Sequence, residues 1–252
     1  MLHGCSQFII TMANSHAKYN STVDVVGSIS DYSNMIDYIN QNYGMNSSED
    51  RFVFRTSNAT SRFKKAVSDG FICFASNDHK TVFLQALVSQ EYSMEEKLII
   101  LFWQFIFCNA LFRETTDNVF LRFLYSGRSS IEICDIEAYL NHLKKISPDE
   151  MPFSESTLTT IASKYLTILK KFGMAEGKVK KMIKAPHISS KLFVYLVQFA
   201  LYAYPEHDTL DNPMFRFSFL DRQSIINRLK TIEYIPLWDI AQIGNDITIS
   251  LK

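Results

Sequence analysis

Apolar residues recur at three- and four-residue intervals along most of the chain. Between residues 21 and 43, Val25, Val26, Ile29, Met35, Ile36 and Ile39 fall at spacings that a helical region would bury, and Gly44 supplies a stop. Asn46 to Asp50 is loop-like in composition. Residues 51–67 mix Arg51, Arg55, Arg62, Lys64 and Lys65 with Phe52, Phe54 and Phe63, which reads as a solvated basic helix face. From 78 to 112 the pattern is helical again: Val82, Phe83, Ala86 and Leu87, a break at Tyr92-Ser93, then an almost wholly apolar run. Residues 117–125 continue in helical spacing up to Ser126-Gly127, and residues 131–143 predict another helix through Ile133, Ile136, Leu140 and Leu143.

Beyond the break at residues 147–152, which holds Pro148 and Pro152, the pattern is at its cleanest. Ser154-Glu155-Ser156 offers N-cap chemistry, and Leu158, Ile161, Ala162, Tyr165, Leu166, Leu169 and Phe172 form one stripe of period 3.6 ending at Gly173. Ser189 or Ser190 caps a further apolar helix to about Ala203, and residues 221–230 predict a short amphipathic one. Residues 232–236 and 247–251 read as short strands. The expected fold is mainly α: a helical bundle with a few short C-terminal strands. Residues 1–17 read as a leader, or as an alternative start at Met12. Residues 18–146 then form an N-terminal helical bundle, and residues 147–252 a second region that can pack with it as one domain.

Composition narrows the class. With 26 basic and 26 acidic residues in 252, the net charge is zero, which excludes a uniformly basic nucleic-acid coat and an acidic tail. Only 8 Gly and 6 Pro argue against a glycine-rich phosphate-binding enzyme and a turn-dense β-sandwich. The 98–112 run is about 15 residues, short of the ~20 that span a bilayer core. Gln104 and Asn109 also interrupt it, so it reads as the central buried helix of a bundle. With no secretory signal and no CxxC pair, the four cysteines (Cys5, Cys73, Cys108 and Cys134) read as reduced, buried thiols of a cytoplasmic protein.

No segment carries HExxH, GxSxG, GxGxxG or a Walker loop, so no catalytic, metal-binding or cofactor-binding residue is assigned. The acids beside His79 and His207 are sequence neighbours, which do not face one another, and the histidines read as surface residues. The positive signal is charge placement. Residues 164–184 hold seven lysines, Lys164, Lys170, Lys171, Lys178, Lys180, Lys181 and Lys184, opposed only by Glu176. On the 154–172 helix, Thr157, Thr160, Lys164, Thr167 and Lys171 face away from the apolar stripe. Short hydroxyls and lysines there would let a helix approach phosphates and base edges. Phe172-Gly173, then Glu176-Gly177 and a basic strand-like stretch, give the order of a recognition helix and wing, with the 131–145 helix as support. A solvated lysine face is the competing reading.

Several segments together resemble the BrxA-like proteins of bacterial BREX phage-defence systems. They are Ser154 through Gly177, Ile183 through Ser190, Lys18-Tyr19-Asn20-Ser21-Thr22, Ser61-Arg62-Phe63, residues 82–112, and Asp135 through Leu140. The resemblance spans most of residues 16–230. It implies a NusB-like helical core, a non-enzymatic role and binding to double-stranded DNA. It also implies partnership with other BREX components, such as methyltransferase, phosphatase-like or ATPase subunits, and no membrane. The alternative is an adaptor that docks those components without touching DNA.

Overall fold

A computed structural model describes residues 18–44, 57–178, 180–244 and 246–252. The expected leader, Cys5 and the expected 46–50 loop lie outside the described residues, as does the 51–56 part of the basic segment. The fold is mainly α. The 21–43 region is two helices, α1 (Thr22–Ser28) and α2 (Tyr32–Tyr43), because the chain turns extended at Ile29 and Asp31 restarts it by accepting from Ser33 N–H. They are followed by α3 (Ser57–Phe71), α4 (Asn77–Val88) and α5 (Met94–Cys108).

The apolar run is the molecule's central helix. Ile99 through Ile106 of α5 are all buried, and a capping box between Ser93 and Glu96 sets its start. Glu96 also accepts from Ser189 Oγ at 2.6 Å and pairs with Lys191 at 2.9 Å, which ties this helix start to that of α10 (Ser190–Ala203). At Asn109 the chain bends by 108° into α6 (Ala110–Thr115). No single helix among the described residues is long and apolar enough to cross a membrane. The next stretch, expected as ordinary helix, is π-helical over Thr116–Leu121 before α7 (Arg122–Tyr125). Thr115 and Thr116 turn their hydroxyls onto the carbonyls four residues back, at 2.8 and 2.7 Å. Such back-bonding competes with the regular ladder where it loosens.

The rest of the core unit comprises β1 (Ser130–Ile131), α8 (Ile133–Ile146), α9 (Glu155–Lys171), β2 (Ala175–Glu176) and β3 (Lys181–Ile183). Tyr165 of α9 donates to Thr116 at 3.1 Å, and Phe112 lies 5.4 Å from the Tyr165 ring, so the same apolar core continues across the 147–152 loop. Met151 within that loop is fully buried.

The C-terminal strands need one correction. Residues 232–234 form a 3-10 turn, and the first strand is β4 (Trp238–Ile243), paired antiparallel with β5 (Asp246–Leu251). Trp238, Ile247 and Ile249 point into the core, and Trp238 donates to Leu229 O at the end of α11 (Arg222–Leu229). Ile232 and Ile235 are exposed and have no such face to fill.

His79 is a second correction, because it is fully buried in the first turn of α4. Its Nδ1 accepts from Ala75 N–H at 3.2 Å and its Nε2 meets Gln104 Oε1 at 3.1 Å, which is the neutral Nε2–H arrangement. Rings of Phe107 and Phe199 stand edge-on at 4.6 Å. Burial pulls the imidazole down to about 4, with the Gln104 bond opposing it. The unfolded chain therefore binds the proton more tightly, and stability falls as pH drops from about 6.5 to about 4. The expected loss from this group is roughly 3 kcal/mol. Urea unfolding across that range should be visibly flatter for His79→Gln than for the natural chain. Equal pH dependence would contradict a buried neutral imidazole.

Candidate nucleic-acid interface

The lysine-bearing segment folds as a compact unit. In α9, Ser154 accepts from Thr157 N–H at 3.3 Å to start the helix, and Gly173, with φ of 75°, follows its end. Leu158, Ile161, Ala162, Tyr165, Leu166 and Leu169 are buried, as the stripe predicts, and Ile168 joins them. The chain then returns through β2 and β3, and β3 also pairs with β1, giving a three-stranded antiparallel sheet of order β1-β3-β2. The loop between β2 and β3 turns at Gly177, whose φ is 103°. A Cβ there would stand 2.3 Å from Lys180 O, so this turn admits only glycine.

The structure separates the sequence-predicted residues into two groups. Lys170, Lys178, Lys180 and Lys184 are exposed, and none pairs with a carboxylate among the described residues. Thr160 is also exposed, with its hydroxyl turned back to Ser156 O at 3.0 Å. The others are engaged within the fold. Thr157 is half-buried in the N-cap cluster, its hydroxyl 2.9 Å from that of Ser154. Lys181 curls back to donate to Gly177 O at 3.2 Å and to Lys178 O. Burial and the neighbouring Lys170 hold its ammonium below the usual range.

Lys164 and Lys171 lie beneath α1. Gly27 approaches α9 so closely that an added Cβ would stand 2.7 Å from Lys164 Cβ and 2.9 Å from Lys164 O. Lys171 donates to Gly27 O at 3.0 Å and to Ile29 O, capping the α1 carboxyl end, and its ammonium sits 5.2 Å from the Tyr32 ring. Burial, and then Lys164, lower its pKa. Gly27→Ala should destabilise by about 1–3 kcal/mol, although alanine is the better helix former by about 1 kcal/mol. The neighbouring exposed Ser28→Ala should stay within about 0.5 kcal/mol, and thermal melts of the two would show it.

Sequence spacing did not identify Thr159, exposed one position from Thr160, nor the half-buried Ser163. Nor did it identify Arg128, which stacks 4.0 Å over Phe123 and pairs with Asp135 at 2.9 Å. Ser129 O accepts from Ile183 N–H, which sets this arginine beside the Lys184 end of the sheet. Among the described residues no three His, Cys, Asp or Glu side chains gather as a metal site.

Fold and site thus define a mainly helical protein in which a helix and a β-hairpin carry a concentrated positive edge. Residues 80–199, which contain α8, α9 and that hairpin, match the family model described as BrxA, so this part of the chain is similar to BrxA. No match was found among curated proteins or solved structures.

Proposed function

We propose that this protein binds double-stranded DNA without catalysing a reaction on it, as an accessory component of a BREX system. In this reading α9 is a recognition helix, α8 its support, and the 177–180 loop a wing. The observation that carries it is the strand order β1-β3-β2 around α8 and α9, with four exposed lysines at the helix end and hairpin that pair with no carboxylate among the described residues. That order supports the winged-helix reading. The eight-residue link from Ser147 to Ser154 is longer than the turn of a simple helix-turn-helix, and Pro148 and Pro152 stiffen it.

In this reading the exposed residues of the segment make the contacts. Lys170, Lys178, Lys180 and Lys184 are available to neutralise phosphates, and Thr159 and Thr160 stand where base edges would come. Lys171 and Lys181 contribute field from positions held by backbone carbonyls, and Lys164 from its place against Gly27. Fluorescence anisotropy with a short duplex, beside single-stranded DNA and a structured RNA, tests the proposal. Duplex binding weakened by Lys180→Glu and Lys184→Glu is expected, and equal binding by that variant would overturn the surface.

One observation favours an adaptor role as a second reading. Ile232, Ile235 and Ile243 are 79%, 57% and 83% exposed around the C-terminal hairpin, an unusual display of branched apolar side chains. A BREX partner that stays bound at high salt and is released by Ile235→Asp with Ile243→Asp would support it.

A further inference from the structure

Cys73 and Cys108 meet at a junction that the DNA-binding proposal does not use. Cys73 follows α3, and Cys108 is the last residue of α5, just before the bend at Asn109. Gln104 holds the two together: its Nε2 donates to Cys73 O at 2.8 Å, to Phe71 O at 2.9 Å and to Cys108 Sγ at 3.3 Å. The Cys108 thiol donates to Cys73 O at 3.5 Å, which sets the two cysteines side by side. Both cysteines are half-buried, so a small oxidant has a way in. The third described cysteine, Cys134, stands exposed on α8, which corrects the expectation that all the thiols are buried.

We propose that Cys73 and Cys108 form a peroxide-sensitive dithiol, with Cys73 the attacking sulfur and Cys108 the resolving one. The chemistry balances with a hydroperoxide as oxidant. The Cys73 thiolate attacks one peroxide oxygen and the O–O bond breaks. That leaves a sulfenic acid on Cys73 and releases hydroxide, which takes up a proton as water. The Cys108 sulfur then attacks the Cys73 sulfur, an S–S bond forms, and the sulfenic oxygen leaves as a second water. Two thiols are oxidised and one hydrogen peroxide is reduced.

The surroundings suit that division of labour. Hydrogen bonding from the Cys108 thiol, aided by the Arg113 charge, lowers the Cys73 pKa against the opposing effect of burial. Burial raises that of Cys108 well above its usual value, so the proton stays there until the first step is over. Arg113 is itself fixed by donating to Ile106 O and Phe107 O at 3.1 and 3.3 Å, which holds its charge near the pair. The bond would close a loop containing α4 and α5 and anchor the bend at Asn109.

The test treats the full chain with hydrogen peroxide and maps its peptides by mass spectrometry. The expected product has lost two free thiols, contains a linked Cys73–Cys108 peptide that dithiothreitol reverses, and keeps Cys134 reduced. Cys108→Ser should accumulate a sulfenic acid on Cys73 that dimedone traps, and Cys73→Ser should leave Cys108 unmodified. Oxidation that falls first on Cys134, or a natural chain in which no 73–108 link appears, would overturn the proposal. Circular dichroism of both variants checks that they are folded.

Discussion

Trp103→Ala should be among the most destabilising single substitutions in this protein. The indole is fully buried in α5, its Nε1 donates to Phe217 O at 2.8 Å, and its ring stacks on Tyr195 with centroids 6.0 Å apart. Truncation empties a large volume, which costs about 3–5 kcal/mol. It also strands the Phe217 carbonyl, worth about a further 1–3 kcal/mol if no water reaches it. Against a total stability of about 5–15 kcal/mol, that leaves little margin. A fall in melting temperature of more than about 10 °C is expected for a chain of this size. Trp103→Phe should cost far less, because it keeps most of the packing and loses mainly the hydrogen bond. If the alanine variant melted within about 3 °C of the natural protein, α5 would not be the centre of the core.

The largest expected effect on binding comes from reversing the four free lysines together. Replacing Lys170, Lys178, Lys180 and Lys184 by Glu should abolish measurable duplex binding and leave the fold intact. All four are exposed and none holds an ion pair among the described residues, so each change should alter stability by less than about 0.5 kcal/mol. Lys171→Ala should behave in the opposite way. It removes the donor that caps α1 at Gly27 and Ile29, costing about 1 kcal/mol of stability, and barely changes the salt dependence of binding. That contrast separates the surface proposed here from a uniform contribution of every lysine between 164 and 184.

Much of the fold was written in local signals. Ser154 and Gly173 bound α9 because capping and positive-φ chemistry act within a few residues, and the apolar stripe of α9 is buried along its length. The central position of α5 followed from an apolar run too short to span a bilayer. His79 could have been recognised as well. Read on one helix with Phe83, Ala86 and Leu87, it lies on the buried side, but the polar neighbours Asp78 and Lys80 suggested a surface position. The strand misplaced at 232–236 followed branched residues, whereas β4 is held by pairing with Ile247 and Ile249 and by one buried tryptophan.

The candidate site was half legible. Helical spacing shows that Lys164 and Lys171 leave the apolar stripe, but not that α1, more than a hundred residues earlier in the chain, lies across them. The one sequence signal for that approach is Gly27, a small residue inside a short helix, where only its lack of a side chain lets the two backbones meet. The exposed set, by contrast, sits on the helix end and the tight hairpin, where short-range sequence already implies solvent.

The most direct test of the central proposal is the salt dependence of duplex binding, measured for the natural chain and for one with Lys170, Lys178, Lys180 and Lys184 changed to Ala. Each neutralised phosphate contributes a slope of about 0.9 in log affinity against log salt, so the two slopes should differ by about 3.6 if all four lysines make contact. From about 50 to about 200 mM salt, those contacts alone would weaken the natural protein by roughly 150-fold. Steep binding by the natural chain and a markedly shallower slope for the variant is the predicted result. Identical slopes, or no duplex binding at low salt, would contradict it.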